Sequence, residues 1–266
     1  MKKTLIFAKR NLKEMLRDPL LYIFCIGFPL LMILMFQIIM KYSDGNTPVF
    51  ELKSLIPGIM MFSYSLLMLM TALLISKDKT QSFLKRLYTS PMKGYDYIIG
   101  YLIPYFLIGV CQSIVCIIFG YIFAGIKGEL FISFGEAMLL LVVMLPIMMI
   151  NIFIGMSLGV LLNDKSAPAI TSIFISCSGV IGGAWMPLDT MGDFEFVARF
   201  LPFHPSVYLG RVVTKAVHTI PDEFGNPLVY SFSENGWLFL LIVGLYLLFT
   251  LTMALVLFNM KLKRDN

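Results

Sequence analysis

Two histidines, His204 and His218, share one stretch of about fifty residues with Asp189, Asp193, Glu195, Asp222, Glu223 and Glu234. These types could do acid–base or metal chemistry, but general acid–base work needs the groups within hydrogen-bond reach of one proton, and nothing in their spacing fixes that. A zinc protease would place two histidines four apart around a glutamate, and no HExxH occurs. No serine or cysteine nucleophile motif accompanies them either. The carboxylates therefore read as a solvated face and the histidines as interfacial or exposed. No G-x-x-x-x-G-K-[ST] occurs, and Gly182-Gly183 follows an apolar run rather than a strand, so the chain has no Walker-type ATP site of its own. Cys25, Cys111, Cys116 and Cys177 lie inside apolar runs without metal-ligand spacing and read as buried thiols acting as small hydrophobes. Catalytic, cofactor and metal residues are expected to be absent.

The elements that would position such residues are set by composition. With 58% hydrophobic and 14% charged residues, against roughly 45–50% and about 25% in soluble domains, the chain reads as an all-α polytopic membrane protein. Runs free of Asp, Glu, Lys and Arg predict six spans at Leu20–Met40, Leu55–Ile75, Tyr97–Ala124, Ala137–Leu162, Ala167–Met186 and Trp237–Asn259. Placing both termini in the cytoplasm puts fifteen Lys and Arg inside against six outside, the latter being Lys41, Lys53, Lys127, Arg199, Arg211 and Lys215. The positive-inside rule selects that orientation. The net charge of +5 is then a topology signal beside the spans, not a nucleic-acid face.

Ahead of the first span, Leu5, Ala8, Leu12 and Leu16 share one helical face while Lys9, Lys13 and Arg17 share another. That pattern suits a helix in the headgroup plane, with apolar residues down and cations toward anionic lipid. A cleavable signal peptide is the competing reading, but the apolar run is about twice an h-region and ends without a small-residue cleavage site.

Between the second and third spans lies the basic loop from Ser76 to Asp96, with Lys77, Lys79, Lys85, Arg86 and Lys93 set against Asp78 and Asp96. Phe83, Leu84, Leu87 and Tyr88 recur at helical spacing, which predicts a short amphipathic helix ended at Ser90, before Pro91. A polar loop carrying such a helix presents a docking surface.

Pro29, Pro57, Pro104, Pro146 and the Gly155/Gly159 pair inside the spans read as kinks and close helix packing. Gln37, Gln112 and Asn151 read as bonds across helices, and no intramembrane ion pair or proton relay is visible. The fifth span carries Thr171 and a stripe of Ser172, Ser176, Gly179 and Gly183. It fits either packing through small residues or a face lining a pathway. The segment from Pro187 to Gly236 is long for a connection. Stripes of Phe194, Val197, Ala198 and Leu201, then of Val207, Tyr208, Val212 and Ala216, predict two short helices there that cap the spans or dip between them. Thr219 to Glu234 reads as turn-rich and exposed.

This order of parts resembles the permease subunits of ABC type 2 (ABC-2) exporters, and two stretches carry the likeness. Lys79-Thr-Gln-Ser-Phe-Leu-Lys-Arg-Leu-Tyr-Thr-Ser-Pro91 is similar to the family's cytoplasmic pattern, in which an acidic residue and Gly-Thr precede a Leu-rich basic turn ending in Pro. Gly182-Gly-Ala-Trp-Met-Pro187, with Met191 and Leu201-Pro202, resembles its signature after the fifth span. Here Asp78 stands for the usual Glu, Gln81-Ser82 for Gly-Thr, Gly100-Tyr101 for the Gly-Lys opening the third span, and Gly192 for a Pro after Met.

The resemblance implies a single permease domain over 1–266, in the plasma membrane with both termini cytoplasmic. Its expected parts are a connecting helix at 1–19, spans one to five within 20–186, an outer re-entrant segment at 187–236, a sixth span at 237–259 and a tail at 260–266. It further implies a second permease copy, lipid contact, and separate nucleotide-binding ATPase subunits that hold the ATP and Mg. In that reading Asp78, Phe83, Leu84, Lys85, Arg86, Leu87, Tyr88 and Pro91 couple to the ATPase, and the connecting helix with Lys9, Lys13 and Arg17 braces the same contact. Thr171, Ser172, Ser176, Gly179 and Gly183 form the pathway or dimer face, while Gly182, Trp185, Pro187 and Pro202 shape the re-entrant segment. The implied activity is ATP-driven export of a drug, antibiotic, peptide or lipid-linked molecule. The alternatives are a membrane enzyme acting at the outer surface and a partner-independent carrier or channel.

Overall fold

A computed structural model describes residues 2–42, 48–81, 94–221 and 226–265. Among them helices α1 (Lys2–Met15), α2 (Pro19–Tyr42), α3 (Leu52–Thr80), α4 (Gly94–Lys127) and α5 (Phe134–Leu161) are followed by α6 (Ala167–Ile181), α7 (Asp193–Ala198), α8 (Phe203–Thr214) and α9 (Phe232–Asp265). Two 3-10 turns, at Pro48–Phe50 and Leu188–Thr190, and an antiparallel bridge between Val217 and Val229 complete the regular structure of the described residues.

Five of these helices are long and apolar enough to cross a membrane: α2, α3, α4, α5 and Phe232–Lys261 of α9. The fifth apolar run is shorter than its composition suggested. α6 has 15 residues, about 22 Å at 1.5 Å per residue against a hydrocarbon core of about 30 Å. It stops because Gly183 turns left-handed at φ +61° and the Ala184 amide folds back onto the Gly179 carbonyl at 3.1 Å. A run counted by hydropathy alone reads through that turn.

α3 is the mast of the bundle: 89% of its most apolar window is buried, against 22% for α9. It packs on α4, α5, α6 and α8. Gly155 and Gly159 of α5 make a tight seam with α3, since a Cβ at Gly155 would lie 2.5 Å from the Met68 carbonyl oxygen and one at Gly159 2.8 Å from the Ile75 Cβ. This is the close approach that small residues four apart permit. In α2, Pro29 removes the amide that would bond to Cys25, and the chain absorbs the loss in a π turn over Ile23–Gly27.

α1 lies against the start of α4. Its inward face is Thr4, Phe7, Ala8, Asn11 and Met15, while Leu5, Ile6 and Leu16 are exposed. The stripe read from Leu5, Ala8, Leu12 and Leu16 thus shares only Ala8 with the packed face, because two of the inward positions are polar. Two thiols also depart from expectation. Cys25 and Cys116 are buried, but Cys111 and Cys177 sit on outward helix faces.

Candidate functional site

At the end of the bundle that holds α1 and the chain's C-terminus, here called basal, three helices meet on one carboxylate. Asp78, in the last turn of α3, has no exposed surface. Arg10 of α1 grips it through two parallel bonds of 2.8 and 2.9 Å, and the Tyr101 hydroxyl of α4 donates a third at 2.7 Å. Fork-on-carboxylate pairing of this kind fixes direction as well as distance. Burial works against the Arg10 charge, but the bonds and charge of Asp78, with Glu14, outweigh it and hold the guanidinium above its usual pKa.

The surrounding contacts are built to the same end. Glu14 pairs with Arg10 at 2.7 Å and with Lys77 at 3.3 Å. The Asn11 amide donates to the Gly100 carbonyl at 3.1 Å, and Thr4 donates to Asp96 at 2.7 Å. The Phe7 ring stands edge-on to Tyr101 at 4.9 Å and lies so close over Gly100 that a Cβ there would be 2.2 Å from it. Where the resembled family places Lys, Tyr101 supplies a neutral donor, and Arg10 supplies the charge from another helix.

One residue further on, the Lys79 ammonium donates to the Val160 carbonyl at 3.0 Å and to that of Leu162, capping α5. Thr80 donates to Asp164 at 3.2 Å. The chain therefore leaves α3 at Gln81 from a point tied to α1, α4 and α5 together. Of the residues expected to couple to an ATPase, Asp78 lies in this junction, and its partners are groups of this chain. Phe83, Leu84, Lys85, Arg86, Leu87, Tyr88 and Pro91 lie outside the described residues. Lys9, Lys13 and Arg17 are exposed on α1 and the bend that follows it.

On α6 the expected stripe divides. Thr171, Gly179 and Gly183 are buried, and Ser172 and Ser176 are exposed. The inward face instead includes Ser178, whose hydroxyl is 2.7 Å from that of Ser65 on α3. Gly182 packs on Met61, and Gly179 lies under the Trp185 ring. Trp185 is edge-on to Phe62 at 4.8 Å and stacked near Phe36 at 6.1 Å. Pro187 leads into a short 3-10 turn at Leu188–Thr190, and buried Pro202 opens α8.

The opposite, apical end holds a second knot. Arg211 of α8, counted from sequence as an outer-loop cation, is 1% exposed. Its guanidinium donates to the Gly183 carbonyl at 2.7 Å, the Ser54 carbonyl at 3.3 Å and the Tyr230 hydroxyl at 3.4 Å. α8 sits within the mouth of the bundle, and Gly210 packs on Pro57 and Met144. α7 is placed differently: of its expected stripe Ala198 is buried, but Phe194 and Val197 are exposed.

The histidines are not exposed. His204 is buried with neither ring nitrogen partnered, and burial, then Arg211 and Arg199, lower its pKa to about 3. His218 stacks on Tyr230 at 3.6 Å and brings Nδ1 to 3.4 Å from Asp189. Burial opposes the Asp189 charge, yet His218 and the Thr219 amide hold its pKa below the usual range. Asp189 is thus a packed residue and not part of a solvated face. Among the described residues no three His, Cys, Asp or Glu gather as metal ligands.

In comparisons with known protein families, residues 2–214 match the ABC-2 type transporter. The chain belongs to the ABC-2 type transporter family. The match runs from α1 through α8, so both knots lie almost wholly within it. No curated protein and no solved structure matches the chain. The protein is a multi-pass ABC transporter permease, a transport subunit of a family whose ATPase site is on an associated ATP-binding subunit. In this ABC-2 permease the basal junction joins, among the described residues, α1, α4 and the end of α3.

Proposed function

We propose that the chain is one half of an ATP-driven exporter. It pairs with a second permease copy, and its basal end faces the cytoplasm, where two ATPase subunits hold ATP and Mg. The segment beyond the end of α3, up to Pro91, forms the coupling helix, with Phe83, Leu84, Leu87 and Tyr88 as apolar anchors in an ATPase cleft and Lys85 and Arg86 at the rim. α6, lengthened by the turn at Gly182-Gly183, acts as the remaining span, and α7 and α8 act as the re-entrant segment. The cargo is a drug, antibiotic, peptide or lipid-linked molecule moved between α3 and α6 of the two copies.

The observation that carries this reading is the Arg10–Asp78–Tyr101 junction. A push on a lever leaving α3 just beyond Asp78 reaches α1, α3 and α4 at once, because the buried carboxylate is held by two bonds from Arg10 and one from Tyr101. The role assigned to Asp78 is accordingly to hold the lever's base, in place of direct contact with the ATPase.

Two measurements test it. A tagged permease carrying Leu84→Asp should insert in the membrane as the parent does but lose copurification of its ATP-binding subunit; undiminished copurification refutes the coupling role. Ser82→Cys should react with a membrane-impermeant thiol reagent in inside-out vesicles and not in intact cells, and the reverse pattern refutes the orientation.

A further inference from the structure

A cavity of about 570 Å³ opens at the elbow where α1 turns into α2. Its floor is apolar, with Leu21, Met70 and Leu74, and its rim carries charge on both sides. Those rim charges are not equivalent. Glu14 is already held by Arg10 and Lys77, and Asp18 accepts from the Leu20 amide at 3.0 Å to cap α2. The Arg17 guanidinium has no partner among the described residues, and the Asp164 carboxylate accepts from the Thr80 hydroxyl alone.

An uncommitted guanidinium and an underused carboxylate above an apolar floor match a zwitterion with a chain attached. We propose that the elbow cavity binds a phosphatidylethanolamine molecule from the membrane. Its phosphate sits on Arg17, a charge-assisted contact suited to the guanidinium fork. Its ammonium donates to Asp164, and the first part of an acyl chain covers Leu21, Met70 and Leu74.

The chemistry discriminates among lipids. A choline head carries the same charges but has no N–H to give Asp164. A phosphatidylglycerol head brings no cation to a rim that also holds Asp18. A soluble phosphoethanolamine would leave the apolar floor uncovered. The surface beside the cavity continues toward lipid through Leu16, Leu20 and Ile23, which are exposed by 49, 45 and 58%. Basic sites between helices at the headgroup level are established places for lipid heads. The proposal rests on the α1 end lying at a membrane surface, and not on the ATPase or the cargo.

The test is lipid retention by the purified full-length permease in detergent, read by native mass spectrometry after exchange into equal amounts of phosphatidylethanolamine, phosphatidylcholine and phosphatidylglycerol. One phosphatidylethanolamine per chain should be retained preferentially. Arg17→Gln, an exposed position, should cut its retention about tenfold, equivalent to about 1.4 kcal/mol. Asp164→Asn should erase the preference over phosphatidylcholine. Equal retention of the three lipids, or retention unchanged in Arg17→Gln, overturns the proposal. So does complete displacement by an equal concentration of glycerophosphoethanolamine, which has the head without the chains. Binding is read without ATPase or sidedness, so failure here leaves the exporter reading intact, and that reading is tested separately by Leu84→Asp and Ser82→Cys.

Discussion

Arg10 and Asp78 stand 68 residues apart in the chain and meet through two bonds of 2.8 and 2.9 Å. The carboxylate is fully buried, whereas the Arg10 side chain keeps 33% of its surface. The pair is therefore asymmetric: loss of the arginine strands a charge, and loss of the aspartate leaves a cation that can still reach water.

Arg10→Ala should destabilise the permease by about 3–5 kcal/mol, the usual cost of stranding a buried charge. Arg10→Lys keeps the charge but not the fork and should cost less. Thermal unfolding in detergent checks the order, and Arg10→Ala as stable as the parent would show that Tyr101 alone suffices for Asp78.

The α3–α5 seam predicts a contrast between glycines. Gly155→Ala must displace the Met68 carbonyl and should cost about 1–3 kcal/mol, as overpacking does. Gly244→Ala meets nothing within 4 Å and should be neutral or slightly stabilising, since alanine favours helix. Equal effects would mean that the seam opens freely.

His204 predicts an acid-sensitive apical end. Its pKa of about 3 in the folded chain lies below the ordinary 6.5, so on acidification the unfolded chain takes up the proton first. Stability from this group is full above about 6.5 and is lost progressively as pH falls from there toward 3. Arg211 and Arg199 oppose the charged ring, and Asp189 favours it. His204→Phe should shrink the fall in unfolding temperature between pH 7 and pH 5. It should be nearly neutral at pH 7, where the ring nitrogens have no partners to lose.

The Asp189–His218 pair separates transport from surface enzymology. His204, His218 and Asp189 changed together to alanine should leave ATP-dependent transport within a few-fold of the parent, less than the loss of about 10²–10⁴ that removing a general acid–base would cause. A loss of that larger size, with normal insertion, would favour an enzyme at the apical surface.

Much of the bundle was legible in the sequence, because uninterrupted apolar runs are a local property. Four predicted spans were extended at both ends into long helices, and the two short helices appear at Asp193–Ala198 and Phe203–Thr214. What was hidden depends on distant pairing. Asp78 sits among lysines and looked like a surface charge until Arg10 and Tyr101 closed on it from two other helices. Arg211 scored as an outer-loop cation, although it is the one charged residue of an otherwise apolar and small stretch, a signal that could have marked it. α6 was overread because glycine counts as neutral to hydropathy but ends the helix once φ turns positive. The inward face of α1 was missed because Thr4 and Asn11, polar by type, point toward backbone and carboxylate partners.

The Met68–Gly155 approach has a mechanical corollary. With no room for even a methyl group between them, α3 and α5 cannot roll about their own axes, and a displacement handed to one is handed to the other. Within this chain α3 and α5 then form a two-helix beam. Whatever boundary opens during a cycle must run along a different edge, where the contacts are side chains that can part.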